Sequence, residues 1–271
     1  KKDQTQDPHP PKIGNFAVPG QFPGALFSFG QRNPDKGGAQ LSLFSDYFVG
    51  KGKHLTELWP TGTYGMTEDL AVTFVTPFAI SERDSSQSSS GVEDMFLQLE
   101  YVTYESSTAS YEDYSTIVGT VIFPTGSTKK TPATGLGASS FFVGATFVRT
   151  YTDWLWFLSD GITFATNQEG RRAGNVFLYQ GGVGRNIFSI QGDTSLAWVV
   201  EINGAYSQKS KVNSRRDPNS GRNIVYCTPS LQLCVEHLLL QLGFGFPIAQ
   251  HVNGHQNKEK YLLMSNFVWT F

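Results

Sequence analysis

Along residues 261–271 (YLLMSNFVWTF) the chain reads with a period of two. One set is Tyr261, Leu263, Ser265, Phe267, Trp269 and Phe271; the other is Leu262, Met264, Asn266, Val268 and Thr270. That period marks a strand whose two faces meet different environments. The first face has aromatic groups at both ends with apolar Leu263 and Phe267 between them. Such a face suits a strand crossing a bilayer, where amphipathic rings sit at each lipid–water boundary. Eleven residues at about 3.3 Å rise, tilted by roughly 45°, span about 26 Å, close to the apolar band of an outer-membrane barrel. The competing assignment is a buried strand of a soluble sandwich.

The same rhythm recurs from Ala39 onward, with polar breaks. A first strand near 39–49 sets Leu41, Leu43, Tyr47 and Val49 against Gln40, Ser42 and Asp46. A second, near 54–65, is interrupted by Pro60, which leaves its phase open. The third runs 70–80, followed by a Ser-rich loop at 81–90. In the fourth, Met95, Leu97, Leu99 and Tyr101 face out while Gln98 and Glu100 face in. Further strands begin near 111, 138, 154, 177, 196 and 223. The seventh aligns Asp160 with Trp154, Trp156 and Leu158, so a bulge at 159–161 is one way to re-aim that carboxylate. The eighth and ninth place Gln180, Glu201 and Asn203 inward, and the eleventh sets Leu238, Leu240, Leu242 and Phe244 outward against Gln241. With Trp269 and Phe271, these form the predicted lipid-facing set.

The pattern predicts an all-β fold: an up-and-down antiparallel transmembrane barrel of about twelve strands over residues 38–271. An even strand count and breaks that alternate between short and long are what a barrel with both termini in the periplasm requires. A soluble sandwich has no reason to sort its loops this way. Residues 1–37 stand apart. They hold six of the thirteen prolines, alternate poorly, and predict an irregular segment at or inside the periplasmic mouth. Phe16, Phe22, Phe27 and Phe29 would be left exposed if that segment floated free.

Composition adds to this picture. Charged residues are 16% of the 271, below the roughly 25% of an ordinary soluble domain. No run of about 18 apolar residues exists to form a transmembrane helix. The opening KKDQTQDPHPPK is not a signal peptide, so Lys1 reads as the start of a processed chain. The net charge of −2 implies no polyanionic partner, nucleic acid included. Cys227 and Cys234 lie on opposite faces of one strand by their odd spacing, and pair only if the chain bends between them.

Three short turn signals occur in order: Tyr64-Gly65-Met66-Thr67 before an apolar strand, Gly91-Val92-Glu93-Asp94 opening another, and Phe123-Pro124-Thr125-Gly126 ending a third. Over residues 38–271 this resembles the outer-membrane transporters of the MetA-pathway of phenol degradation family. Met66, Glu68 and Val92-Glu93 depart from the family's usual residues. The resemblance implies a barrel that admits small, often aromatic or hydrophobic compounds, and it implies no catalytic residues.

The residues themselves point to no enzyme. Twelve-stranded outer-membrane phospholipases carry His-x-Ser on one strand, and none of His9, His54, His237, His251 or His255 has Ser two positions on. Neither a metal site nor a cofactor is predicted. The inward polar set (Asp46, Gln98, Glu100, Gln180, Glu201, Asn203, Gln241) needs water or partners, so it implies either a hydrated pore or a filled lumen. Twelve strands fall between filled eight-stranded and open sixteen-stranded barrels. Passive passage of small solutes, with a preference for cations, is the first expectation. A structural or docking barrel that binds an envelope partner is the second. Lys129, Lys130, Arg171, Arg172, Arg215 and Arg216, with Lys209, Lys211 and Arg222, fall in the long loops. They predict surface loops that meet lipopolysaccharide phosphates. The terminal Phe271 fits the signal read by the barrel-assembly machinery.

Overall fold

The computed structural model describes residues 24–30, 33–168, 170–190 and 194–271. In order come β1 (Ala39–Gly50), β2 (Lys53–Gly65), β3 (Leu70–Val75), β4 (Phe78–Asp84), β5 (Gln87–Val92) and β6 (Phe96–Ser107). Then follow β7 (Tyr111–Ile122), β8 (Ser140–Tyr151), β9 (Trp154–Ala165), β10 (Asn167–Gln168), β11 (Arg171–Arg172) and β12 (Val176–Ile190). The last six are β13 (Thr194–Ser207), β14 (Lys211–Val212), β15 (Arg215–Arg216), β16 (Arg222–Val235), β17 (Leu238–Val252) and β18 (Glu259–Thr270). The wall runs β1-β2-β3-β6-β7-β8-β9-β12-β13-β16-β17-β18 and closes on itself through the β1–β18 pairing. With β4 continuing β3 and β5 preceding β6, this is a closed antiparallel barrel of twelve wall strands. Closure removes the unpaired edges of an open sheet.

The two-residue period is borne out along the wall. In β18 Leu263, Phe267 and Trp269 are exposed outside, while Leu262, Met264, Asn266 and Val268 are buried inside. In β8 the exposed set is Phe141, Val143 and Ala145, and the buried set Ser140, Phe142, Gly144 and Thr146. Aromatic groups cluster at both ends of the outer surface. At the end of the short turns, Trp154 packs on Trp198, Trp269 on His237, and Tyr111 on Tyr151. There Arg149 lies 4.1 Å over the Tyr111 ring and pairs with Asp113. At the other end Phe177 stacks on Tyr179 and Phe244 on Tyr261.

Four sequence expectations need correction. The Ser-rich stretch is not a loop: β4 and β5 form a hairpin turning at residues 85–86, with Ser85 at φ 56°. The third strand does not run continuously through 70–80 but breaks at Thr76–Pro77. Pro60 does not interrupt β2; it sits at that break, where its carbonyl accepts the Thr76 N–H. No bulge re-aims Asp160, because β9 pairs with β8 and β12 without a register shift. Asp160 therefore stands exposed on the outer face. The two cysteines are free, Cys234 buried and Cys227 on the other face, as their spacing implies.

The β5 strand pairs only with β4. Side chains hold residues 93–95 and the end of β5 to the loop that follows β7. Asp94 accepts the N–H groups of Gly126 (2.9 Å) and Leu136 (2.8 Å), and Thr125 Oγ1 bonds Glu93 O and Met95 N–H. Lys130 Nζ donates to Ser90 O. Two of the three turn signals, Gly91–Asp94 and Phe123–Gly126, thus lock onto each other. A Cβ at Gly126 would fall 2.3 Å from Thr134 O, so glycine alone fits that approach.

Candidate functional site: the barrel interior

Residues 24–30 lie inside the barrel, and the wall supplies hydrogen-bonding groups for their backbone. Glu201, at 0% exposure on β13, receives the N–H groups of Leu26 (2.6 Å), Phe27 (3.2 Å) and Ser28 (3.0 Å). Ser28 Oγ donates to Glu201 Oε2 at 2.9 Å, or to Asn203 Oδ1 at 2.8 Å. Three successive N–H groups thus converge on one carboxyl group, which gives them the acceptor that water would otherwise supply. Gln241 Nε2 donates to Gly24 O (3.0 Å), and Ser159 Oγ to Phe29 O (3.1 Å). Phe29 N–H reaches Gln180 Oε1 at 3.4 Å.

Apolar contacts complete the seat. Ala25 packs with Leu155, Phe157, Ala197 and Val199; Leu26 packs with Ile224, Tyr226, Leu262 and Met264. The Phe29 ring meets Phe142 edge to face at 4.8 Å. Gly144 and Gly161 stand opposite each other in the β8–β9 pairing, and a Cβ at Gly144 would come within 2.6 Å of Phe29. Two glycines are thus what leaves room for that ring. Beyond the segment, Asn33 Nδ2 bonds Glu100 O, and Gly37 N–H bonds Gly65 O beneath the first turn signal.

Of the predicted inward residues, Asp46, Glu100, Gln180, Glu201, Asn203 and Gln241 are buried and Gln98 is half-buried. They do not form one cluster. Glu201, Asn203, Gln180 and Gln241 surround the 24–30 segment. Gln241 also bonds Gln232 and Asn266. Glu100 accepts Thr116 Oγ1 at 2.7 Å, and Gln98 accepts Thr120 Oγ1 at 3.4 Å. Asp46 lies apart, opposite Glu57 in the β1–β2 register, both buried, with Asp46 Oδ1 lacking a hydrogen-bond partner among the described residues. Sequence reading missed Glu57 because Pro60 obscured the phase of β2; its pairing with Asp46 across the hairpin would have restored it.

No family model matches this sequence, and no curated protein matches it. Solved structures do. The chain is similar to an outer membrane channel from Pseudomonas putida F1, at 16% identity and a TM-score of 0.72, over 92% of this chain and 99% of the other. The NanC porin is similar at 14% identity and a TM-score of 0.50, over 84% of this chain and 98% of its own. The fold is that of an outer-membrane β-barrel. At these identities the likeness extends to the fold alone.

On the outside of that barrel, Leu242, Phe244, Trp269 and Phe271 are exposed, while Leu238 and Leu240 share their face and are partly covered. The basic loop residues divide. Lys130 folds onto Ser90 beside Lys129, whereas Arg171, Arg172, Arg215 and Arg216 lie in the small sheet β10-β11-β14-β15. Among the described residues no group of three or more His, Cys, Asp or Glu side chains is placed to hold a metal ion.

Proposed function

We propose that the chain is an outer-membrane channel through which small solutes, aromatic and hydrophobic ones among them, pass passively. Both termini lie in the periplasm, and residues 1–37 restrict the lumen. The carrying observation is how residues 24–30 are held: side-chain hydrogen bonds to their backbone, centred on Glu201, with no strand pairing to the wall. A segment attached this way is able to leave without opening the barrel ladder. The three turn signals support kinship with the MetA-pathway transporters. Phe271, whose N–H bonds Ala39 O where the barrel closes, supports recognition by the assembly machinery.

A second reading, a docking barrel for an envelope partner, is favoured by how fully the interior is filled. Thr116, Thr228, Glu201, Gln232 and Gln241 are all sealed from solvent.

Planar-bilayer recording separates the two. The full chain is expected to conduct steadily and to favour cations, since Glu57 and Glu100 face inward. Glu201→Ala, which removes the acceptor for residues 26–28, is expected to raise single-channel conductance. Folded, inserted protein that carries no current in either form would sink the channel reading and leave the docking barrel.

A further inference from the structure

The tips of two long loops zip together into a sheet of four two-residue strands. Asn167 pairs with Arg172, Arg172 with Lys211, and Lys211 with Arg216. Residues directly opposite in such a ladder share a face, so Arg172, Lys211 and Arg216 stand side by side with Asn167. Like charges directly opposite destabilise a sheet. The strands themselves contain no acid; Glu169 lies outside the described residues.

Local geometry holds the charges there. Asn213 and Ser214, at φ 48° and 66°, form the two-residue turn between β14 and β15, a conformation that matches hairpin twist. Asn213 N–H bonds Gly170 O at 2.7 Å, which joins the two tips. Arg172 is fixed to the barrel rim by Ala165 O (3.0 Å) and Asn175 Oδ1 (3.4 Å). Lys211 and Arg216, in contrast, make no ion pair or side-chain hydrogen bond among the described residues. Asp217, the nearest described acid in sequence, instead accepts Asn219 N–H.

An independent feature lies at the same place. A cavity of about 190 Å³ opens between this sheet and the rim, lined by Arg171, Arg172 and Lys211 among mainly apolar neighbours such as Leu136, Ala165 and Val212, with Arg216 outside it. It has room for a small oxyanion. Guanidinium and ammonium groups are the donors that phosphate oxygens take.

We propose that this two-loop sheet is a binding site for a phosphate group, held by Lys211, Arg216 and the free face of Arg172. The phosphate comes either from lipopolysaccharide in the surrounding leaflet or from a dissolved phosphorylated solute at the mouth. The site does not depend on whether the barrel conducts.

The test uses the full chain refolded in detergent, with labelled lipopolysaccharide followed by fluorescence anisotropy. Arms contain phosphorylated lipopolysaccharide, its dephosphorylated form, and inorganic phosphate as competitor. Lys211→Gln with Arg216→Gln is expected to weaken binding of the phosphorylated form about tenfold, and added salt to weaken the wild type. Heat-modifiable gel migration checks that the barrel is folded, and Lys51→Gln with Lys258→Gln serves as a charge-matched control that leaves binding unchanged. Preference for phosphorylated lipopolysaccharide, with competition only at high phosphate, identifies the leaflet as the source. Equal binding of both lipopolysaccharides, with phosphate binding that is lost in the double variant, identifies a dissolved anion. A folded double variant that binds lipopolysaccharide and phosphate as the wild type does would overturn the site.

Discussion

Two sectors of this barrel are built differently. From β7 through β18 the wall strands are long and unbroken, each pairs with both of its neighbours, and each shows an apolar outer face. From β3 through β6 the wall is broken twice, at Thr76–Pro77 and at residues 93–95, and β5 is left with a ladder on one side only. The regular sector is held by backbone pairing and by an outward face suited to lipid, so its stability is spread over many residues. The broken sector relies on a few named side chains, chiefly Asp94, Thr125 and Lys130. Single substitutions should therefore act through different physics in the two places.

The largest effect belongs to the regular face. Leu242→Arg puts a charge at an outward position that is 54% exposed on β17, and is expected to cost about 2–4 kcal/mol if it sits near mid-bilayer. Reversible unfolding from liposomes measures this; unchanged stability would show that Leu242 does not face lipid. In the broken sector, Asp94→Ala removes the acceptor of two N–H groups and should cost about 1.5 kcal/mol. Its distinguishing sign is faster proteolysis within residues 123–139 while the barrel core stays resistant. Uniform loss of protection across the whole barrel would mean that the two sectors are not separable.

The smallest effect tests an exception inside the regular sector. Asp160 sits outward on β9 between Leu158 and Ile162. Asp160→Leu is expected to stabilise the barrel in liposomes by about 1 kcal/mol, because a carboxylate in apolar surroundings is unfavourable. A loss of stability instead would mean that Asp160 meets a polar partner on the outer surface.

Which side of each strand faces out was readable from the sequence alone, because side chains alternate strictly and lipid and lumen select opposite chemistry. That rule placed Leu242, Trp269 and Phe271 outside and Glu201, Asn203 and Gln241 inside, and it gave twelve wall strands. It failed where alternation is masked by proline or serine: at Pro60, at Thr76–Pro77, and in the β4–β5 hairpin, whose polar residues read as loop. What the inward residues do there was decided only by tertiary structure. Nothing local to Glu201 shows that it gathers the N–H groups of residues 26–28, some 175 positions away. Nor does either loop alone show that Arg172, Lys211 and Arg216 share one face. Both arrangements depend on which distant segments the closed barrel brings together, and a periodicity of two carries no record of that.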